Sequence, residues 1–210
     1  MMAGPGERSS PGELSGRGSW KSLKRSRVWL LAGAAGLAVG VVVVTVGALL
    51  LGGGGPAHAL VTPAKLGAYV RKPQLEQQMN AKELQQQVVA KSAGQASAVV
   101  DAVYEANSAA VGGTSPRVIL FIGGHLSGVS PTGFITSFTD QFKGARSTGA
   151  GSMGGRAACV NAQENVAGSV ALCTWADNDT FGLVASPTMD AAQLGAQMRV
   201  IRPDVEHVTK

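Results

Sequence analysis

The longest hydrophobic run in this chain has no polar face. From Val28 to Leu51 stand 24 residues without a charge, VWLLAGAAGLAVGVVVVTVGALLL. At about 1.5 Å per residue this makes a helix of ~36 Å, enough for a hydrocarbon core of ~30 Å. A helix against a protein core keeps a polar stripe toward water, and this run has none. A single transmembrane helix over 28–51 is therefore predicted. Residues 1–27 hold little that is apolar beyond Leu14, Trp20 and Leu23, too little to offset the entropy of ordering them, and a disordered tail is expected. Residues 52–59, opening with Gly52-Gly53-Gly54-Gly55-Pro56, read as a flexible spacer. Residues 60–210 then form one domain of about 150 residues, ordinary for a single core.

Inside 60–210 the periodicity alternates between helix and strand. Leu60–Tyr69 reads as a short strand or irregular lead-in. Pro73–Asn107 reads as helix, with Leu84, Val88, Val99 and Val103 on one face and Gly94 as a weak point. Arg117–Ile122 is β-branched and apolar on both faces, which predicts a central strand bounded by Pro116 and Gly123-Gly124. Ser130-Pro131 reads as N-cap and first residue of a helix to about Phe142, whose Phe134, Phe138 and Phe142 form one core-facing stripe. After a Gly/Ser loop over 143–155, Arg156–Val160 and Ser169–Trp175 read as a hairpin. A turn at Asp177-Asn178-Asp179 leads to a strand over Thr180–Ser186. A last helix, capped by Thr188 or Asp190, presents Leu194, Met198 and Ile201 inward and ends or kinks at Pro203. The predicted fold class is α+β: one transmembrane helix followed by a single two-layer domain, with an antiparallel sheet and helices packed on it.

Charge orients this arrangement. The net charge is +5, but residues 1–27 hold six cations and two anions, leaving twelve cations against eleven anions in the rest. The basic character thus belongs to the tail. A nucleic-acid surface would need basic residues on the folded domain, so nucleic acid is excluded as a partner. Lys21, Lys24, Arg25 and Arg27 directly precede the apolar run and no charge follows it until Lys65. The positive-inside rule then predicts a cytoplasmic N-terminus, an extracytoplasmic C-terminal domain and the lipid bilayer as a partner. The rival is cleavage after Ala59, since Ala57-His58-Ala59 fits the small-x-small rule. The apolar run exceeds the ~7–15 residues of a signal-peptide core, which favours a retained anchor.

The two cysteines, Cys159 and Cys173, fall in the two strands of the predicted hairpin, symmetrically about Val166. A register with that midpoint sets them opposite each other, and a disulfide is expected in the oxidising surroundings predicted for this domain. A redox pair would show C-x-x-C spacing, and a thiol nucleophile would need a histidine close by.

No motif carries catalytic, cofactor or metal chemistry. Gly149-Ala-Gly151-Ser-Met-Gly154 matches GxGxxG, but lacks the preceding strand and following helix of a dinucleotide site. Asp177-Asn178-Asp179-Thr180 lacks the later ligands of a calcium loop, and reads as a turn. His125 and Ser127 lie in a Gly-rich segment after the central strand, a place where ligand loops are built. They are the candidate ligand-loop residues, although no nucleophile elbow or second metal ligand accompanies them.

The segments Val61-Thr62-Pro63-Ala64-Lys65-Leu66-Gly67-Ala68-Tyr69, Leu172-Cys173-Thr174-Trp175-Ala176-Asp177 with Phe181-Gly182, and Met198-Arg199-Val200-Ile201-Arg202-Pro203 resemble a set of uncharacterised actinobacterial single-pass membrane proteins. The resemblance covers about two thirds of the chain. It implies an exported, cysteine-paired outer domain and brings no activity. The expected function is a non-enzymatic binding or sensing module with an extracytoplasmic or membrane protein partner and no cofactor. The alternatives are an extracytoplasmic hydrolase centred on His125, with Ser127 beside it, or a secreted protein cleaved after Ala59.

Overall fold

The structure is a computed structural model that describes residues 58–208 apart from 110–111, 113–114 and 165–167. Three short strands open the described chain: β1 (His58–Leu60), β2 (Lys65–Leu66) and β3 (Tyr69–Arg71). Helices α1 (Pro73–Gln78) and α2 (Ala81–Lys91) follow, then the long strands β4 (Ala96–Ala106) and β5 (Arg117–Leu126). Helix α3 (Pro131–Gln141) leads into β6 (Arg146–Thr148), β7 (Arg156–Glu164), β8 (Gly168–Ala176) and β9 (Thr180–Ser186). Helix α4 (Ala191–Val205) and β10 (Glu206–Val208) complete it. Eight strands form one antiparallel sheet in the order β2-β3-β4-β5-β9-β8-β7-β6, and β1 pairs with β10 in a separate ribbon.

The sheet is covered on both faces. Leu84 and Val88 of α2 and Ile135 and Phe138 of α3 form one core with Val103, Leu120, Ile122 and Leu172. Leu194, Met198 and Ile201 of α4 form the other with Tyr104, Ile119, Phe121, Trp175 and Val184. Successive residues of β5 alternate between the two cores, as the period of a strand requires. The expected two-layer domain is thus corrected to three layers: a strand apolar on both faces must be covered on both.

The expected helix over 73–107 is also corrected. It is α1, α2 and β4, divided after Lys91 where Ala93 and Gly94 take φ of 51° and 82°. Val99 and Val103 lie on β4, yet they join Leu84 and Val88 in one core. A spacing of four residues is in phase with both the helical and the strand period, so it did not discriminate. Elsewhere the local signals match the elements. Ser130 caps α3 through the Gly133 N–H at 3.1 Å with Pro131 in its first turn. Asp190, with Gln193 in a reciprocal capping box, starts α4. Pro203 does not end α4; it sits within the last turn, and the helix runs to Val205.

The hairpin of β7 and β8 pairs Cys159 directly with Cys173, and a disulfide joins them with their Cα atoms 4.1 Å apart. Gly123 of β5 pairs with Gly182 of β9, and the stacked rings of Phe121 and Trp175 lie over them, 5.9 Å between centroids. A Cβ at Gly182 would enter the Trp175 ring, so glycine is what lets the indole lie flat on the sheet.

Among the described residues no helix is long and apolar enough to cross a membrane. The 28–51 run on which the spanning helix was expected, and the tail and most of the spacer around it, lie outside the described residues. The expectations of a single-pass anchor, a lipid-bilayer partner and a cytoplasmic N-terminus at the cell membrane are corrected accordingly: no described element supports them. The molecule described is an α+β domain with an antiparallel sheet and packed helices.

Candidate functional site

The turn between β8 and β9 is built by its own first residue. The Asp177 Oδ1 accepts from the Asp179 N–H at 3.2 Å, the Thr180 N–H at 2.8 Å and the Thr180 hydroxyl at 2.9 Å. Aspartate favours such turns because its short carboxylate reaches the backbone two and three residues on. The turn carries Asp179 outward, half-buried, to meet His58. The His58 backbone N–H donates to Asp179 Oδ2 at 2.6 Å, and Nδ1 lies 2.9 Å from Oδ1. His58 reaches this place through the β1–β10 ribbon, which pairs His58 with Val208 and Leu60 with Glu206.

Beneath the His58–Asp179 pair lies a buried ion cluster. Arg202 is 1% exposed, and a guanidinium has five N–H donors in a planar fork. All five find acceptors here. Nε donates to Glu206 Oε2 at 2.7 Å, and Nη2 to Asp177 Oδ2 at 2.7 Å and Glu206 Oε1 at 3.2 Å. Nη1 donates to the carbonyls of Ala150 at 3.1 Å and Gly154 at 2.6 Å. The Trp175 indole N–H donates to Glu206 Oε2 at 3.0 Å, and the guanidinium carbon sits 5.6 Å from the indole ring centre. The Thr180 hydroxyl lies 3.1 Å from Glu206 Oε1.

Electrostatics follow from this packing. Burial works against an imidazolium at His58, but the hydrogen bond to Asp179 and the charges of Asp179, Asp177 and Glu206 outweigh it and raise its pKa. Burial also raises the Asp177 carboxyl, yet its contact with Glu206 and the Thr180 and Asp179 donors bring it down to about 2. Glu206 is pushed up by burial and by the neighbouring Asp177, against the pull of Arg202.

His58, Asp177 and Glu206 each offer a donor atom, all within 4.8 Å of one another. Such a set is compatible with a metal centre or a catalytic one. Both Asp177 oxygens and both Glu206 oxygens already accept from Arg202, Thr180, Trp175 or the backbone. The Arg202 guanidinium stands where a cation would, held by main-chain carbonyls as well. The imidazole is the most exposed group of this set, with 16% of its side chain exposed against 10% for Asp177 and 0% for Glu206.

The sequence-predicted residues fall around this site rather than in it. His125 is not in a loop but on β5, paired with Thr180 of β9, so it stands beside the cluster while the carboxylate-bonded histidine is His58. Ser127 is exposed, its hydroxyl 3.4 Å from the Gln95 carbonyl. The GxGxxG loop presents carbonyls to a guanidinium, the reverse of a phosphate cradle. Phe134, Phe138 and Phe142 belong to the core or lie against it. Sequence reasoning missed His58, Arg202 and Glu206. The Arg202–Glu206 spacing of i, i+4 was a signal, obscured by Pro203 between them. The expectation that the domain is not an enzyme rested on the lack of a catalytic constellation, and the buried His58–Asp177–Glu206 cluster overturns that premise.

No protein-family model matches the chain, no curated protein is significantly similar to it, and no solved structure matches its fold significantly. The expected resemblance to actinobacterial single-pass membrane proteins is corrected: among the described residues no helix can cross a membrane, and the chain is an α+β domain with a His58, Asp177 and Glu206 cluster consistent with a binding or catalytic site.

Proposed function

We propose that this domain is a hydrolase-type acid–base module whose working group is His58. The observation that carries this reading is the Nδ1 contact with Asp179 at 2.9 Å, above buried and fully paired charges. A carboxylate on Nδ1 sets the tautomer and orientation of the ring and leaves Nε2 to exchange a proton with a substrate or a water. Because its neighbours raise the His58 pKa, the imidazolium persists to higher pH than for a free histidine. It donates a proton below that pKa and accepts one above it. The hydrolytic alternative thereby moves from His125 to His58. The test is the purified full chain against chromogenic esters, amides, phosphoesters and glycosides. His58→Ala is expected to lower turnover ~10²–10⁴-fold, while His125→Ala and added chelator leave most of it. Turnover that survives His58→Ala, or collapses on chelation, counts against the proposal.

A further inference from the structure

The Arg202 guanidinium holds together the two pieces of chain that bring His58 and Asp179 into contact. One piece is the turn after β8. Arg202 Nη2 fixes Asp177 Oδ2, and the other oxygen of the same carboxylate gathers the N–H groups of Asp179 and Thr180. The second piece is β10. Arg202 Nε and Nη2 fix both oxygens of Glu206, the residue that pairs with Leu60 in the ribbon carrying His58. Nη1 in turn is fixed by the Ala150 and Gly154 carbonyls of the Gly149–Gly154 loop.

We propose that Arg202 is the positioning residue of the His58 site, setting the distance between the β1 imidazole and the Asp179 carboxylate, and that the GxGxxG loop serves to hold it there. This rests on the reading of His58 as the working group. The guanidinium is suited to the task because a planar fork can serve two carboxylates and two carbonyls at once, whereas a lysine ammonium offers three donors from one point. The glycines matter to the loop because Gly151 and Gly154 take φ of +95° and +76°, which side chains rarely adopt.

The experiment follows the His58 ring by NMR in the full chain, with no substrate present. Arg202→Lys keeps the charge and removes the fork. A role through charge alone leaves the His58 titration where it is. A positioning role lowers its pKa toward that of a free histidine and loses the Nδ1 proton to exchange, because Asp179 is no longer held against the ring. That fall, in a variant whose amide spectrum stays folded, is the expected result. An unchanged His58 titration and a retained Nδ1 proton in the folded variant overturn the proposal. Should Arg202→Lys not fold, Gly154→Ala decides. Its Cβ meets open space, but the positive φ displaces the carbonyl that holds Nη1 without altering any charge. A lowered His58 pKa supports the proposal there, and an unchanged one overturns it. If His58 responds as expected while no substrate is turned over, the positioning role stands and the hydrolytic reading falls.

Discussion

At the scale of single residues, His58 and Asp177 give the domain opposite dependences on pH. The His58 pKa is raised in the folded state. Its contribution to stability is therefore complete below the unfolded histidine value of about 6.5, and is lost as pH rises through the folded value. Asp177 is brought down to about 2. Its contribution is complete above the unfolded aspartate value of about 3.9, and is lost as pH falls toward about 2. Stability measured by denaturant at a series of pH values should fall on both sides. His58→Ala should flatten the alkaline side, and Asp177→Asn the acidic side, with a smaller change on the alkaline side because the Asp177 charge also raises His58. An alkaline limb unchanged by His58→Ala would place its origin elsewhere.

At the scale of elements, the site depends on a strand of three residues. β1 supplies His58, and its ladder to β10 is continued by the Val61 N–H to the Val205 carbonyl at 2.8 Å. Cleavage after Ala59 would leave that last hydrogen bond and both cores while removing the imidazole. The chain cut to begin at Leu60 is thus expected to fold, to melt at a lower temperature than the full chain, and to have lost turnover as completely as His58→Ala. Retained turnover in that product would remove His58 from the mechanism. Circular dichroism and the assay that scores His58→Ala suffice to check it.

At the scale of the molecule, two cores share one sheet. Leu84 packs on one face and Met198 on the other, so neither face can open without exposing strands that the other face covers. Leu84→Ala and Met198→Ala should each cost about 2–5 kcal/mol. They share no core, so the costs should add to within about 0.5 kcal/mol. Unfolding should remain one transition, with near-ultraviolet and far-ultraviolet signals coincident. Two separated transitions would mean that the faces are independent.

Much of this fold is legible along the chain because its causes are local. The midpoint of a hairpin sets which residues oppose each other, which is why Cys159 and Cys173 are bonded as their spacing about Val166 predicts. A serine before a proline and an aspartate before a glutamine satisfy orphan N–H groups within one turn, so the starts of α3 and α4 were readable. The doubly apolar run around Leu120 announced a central strand. What the tertiary structure alone decided lies where the sequence carries no local cause. A spacing of four could not say that Val99 and Val103 form a strand, and α2 packed against β4 settled it. The site is the sharper case. His58 and Asp179 stand 121 positions apart, and a buried guanidinium is made acceptable only when two carboxylates and two carbonyls converge on it from three other parts of the chain. That convergence is a property of the closed fold, because the desolvation of Arg202 is offset only when every one of its donors has found its partner.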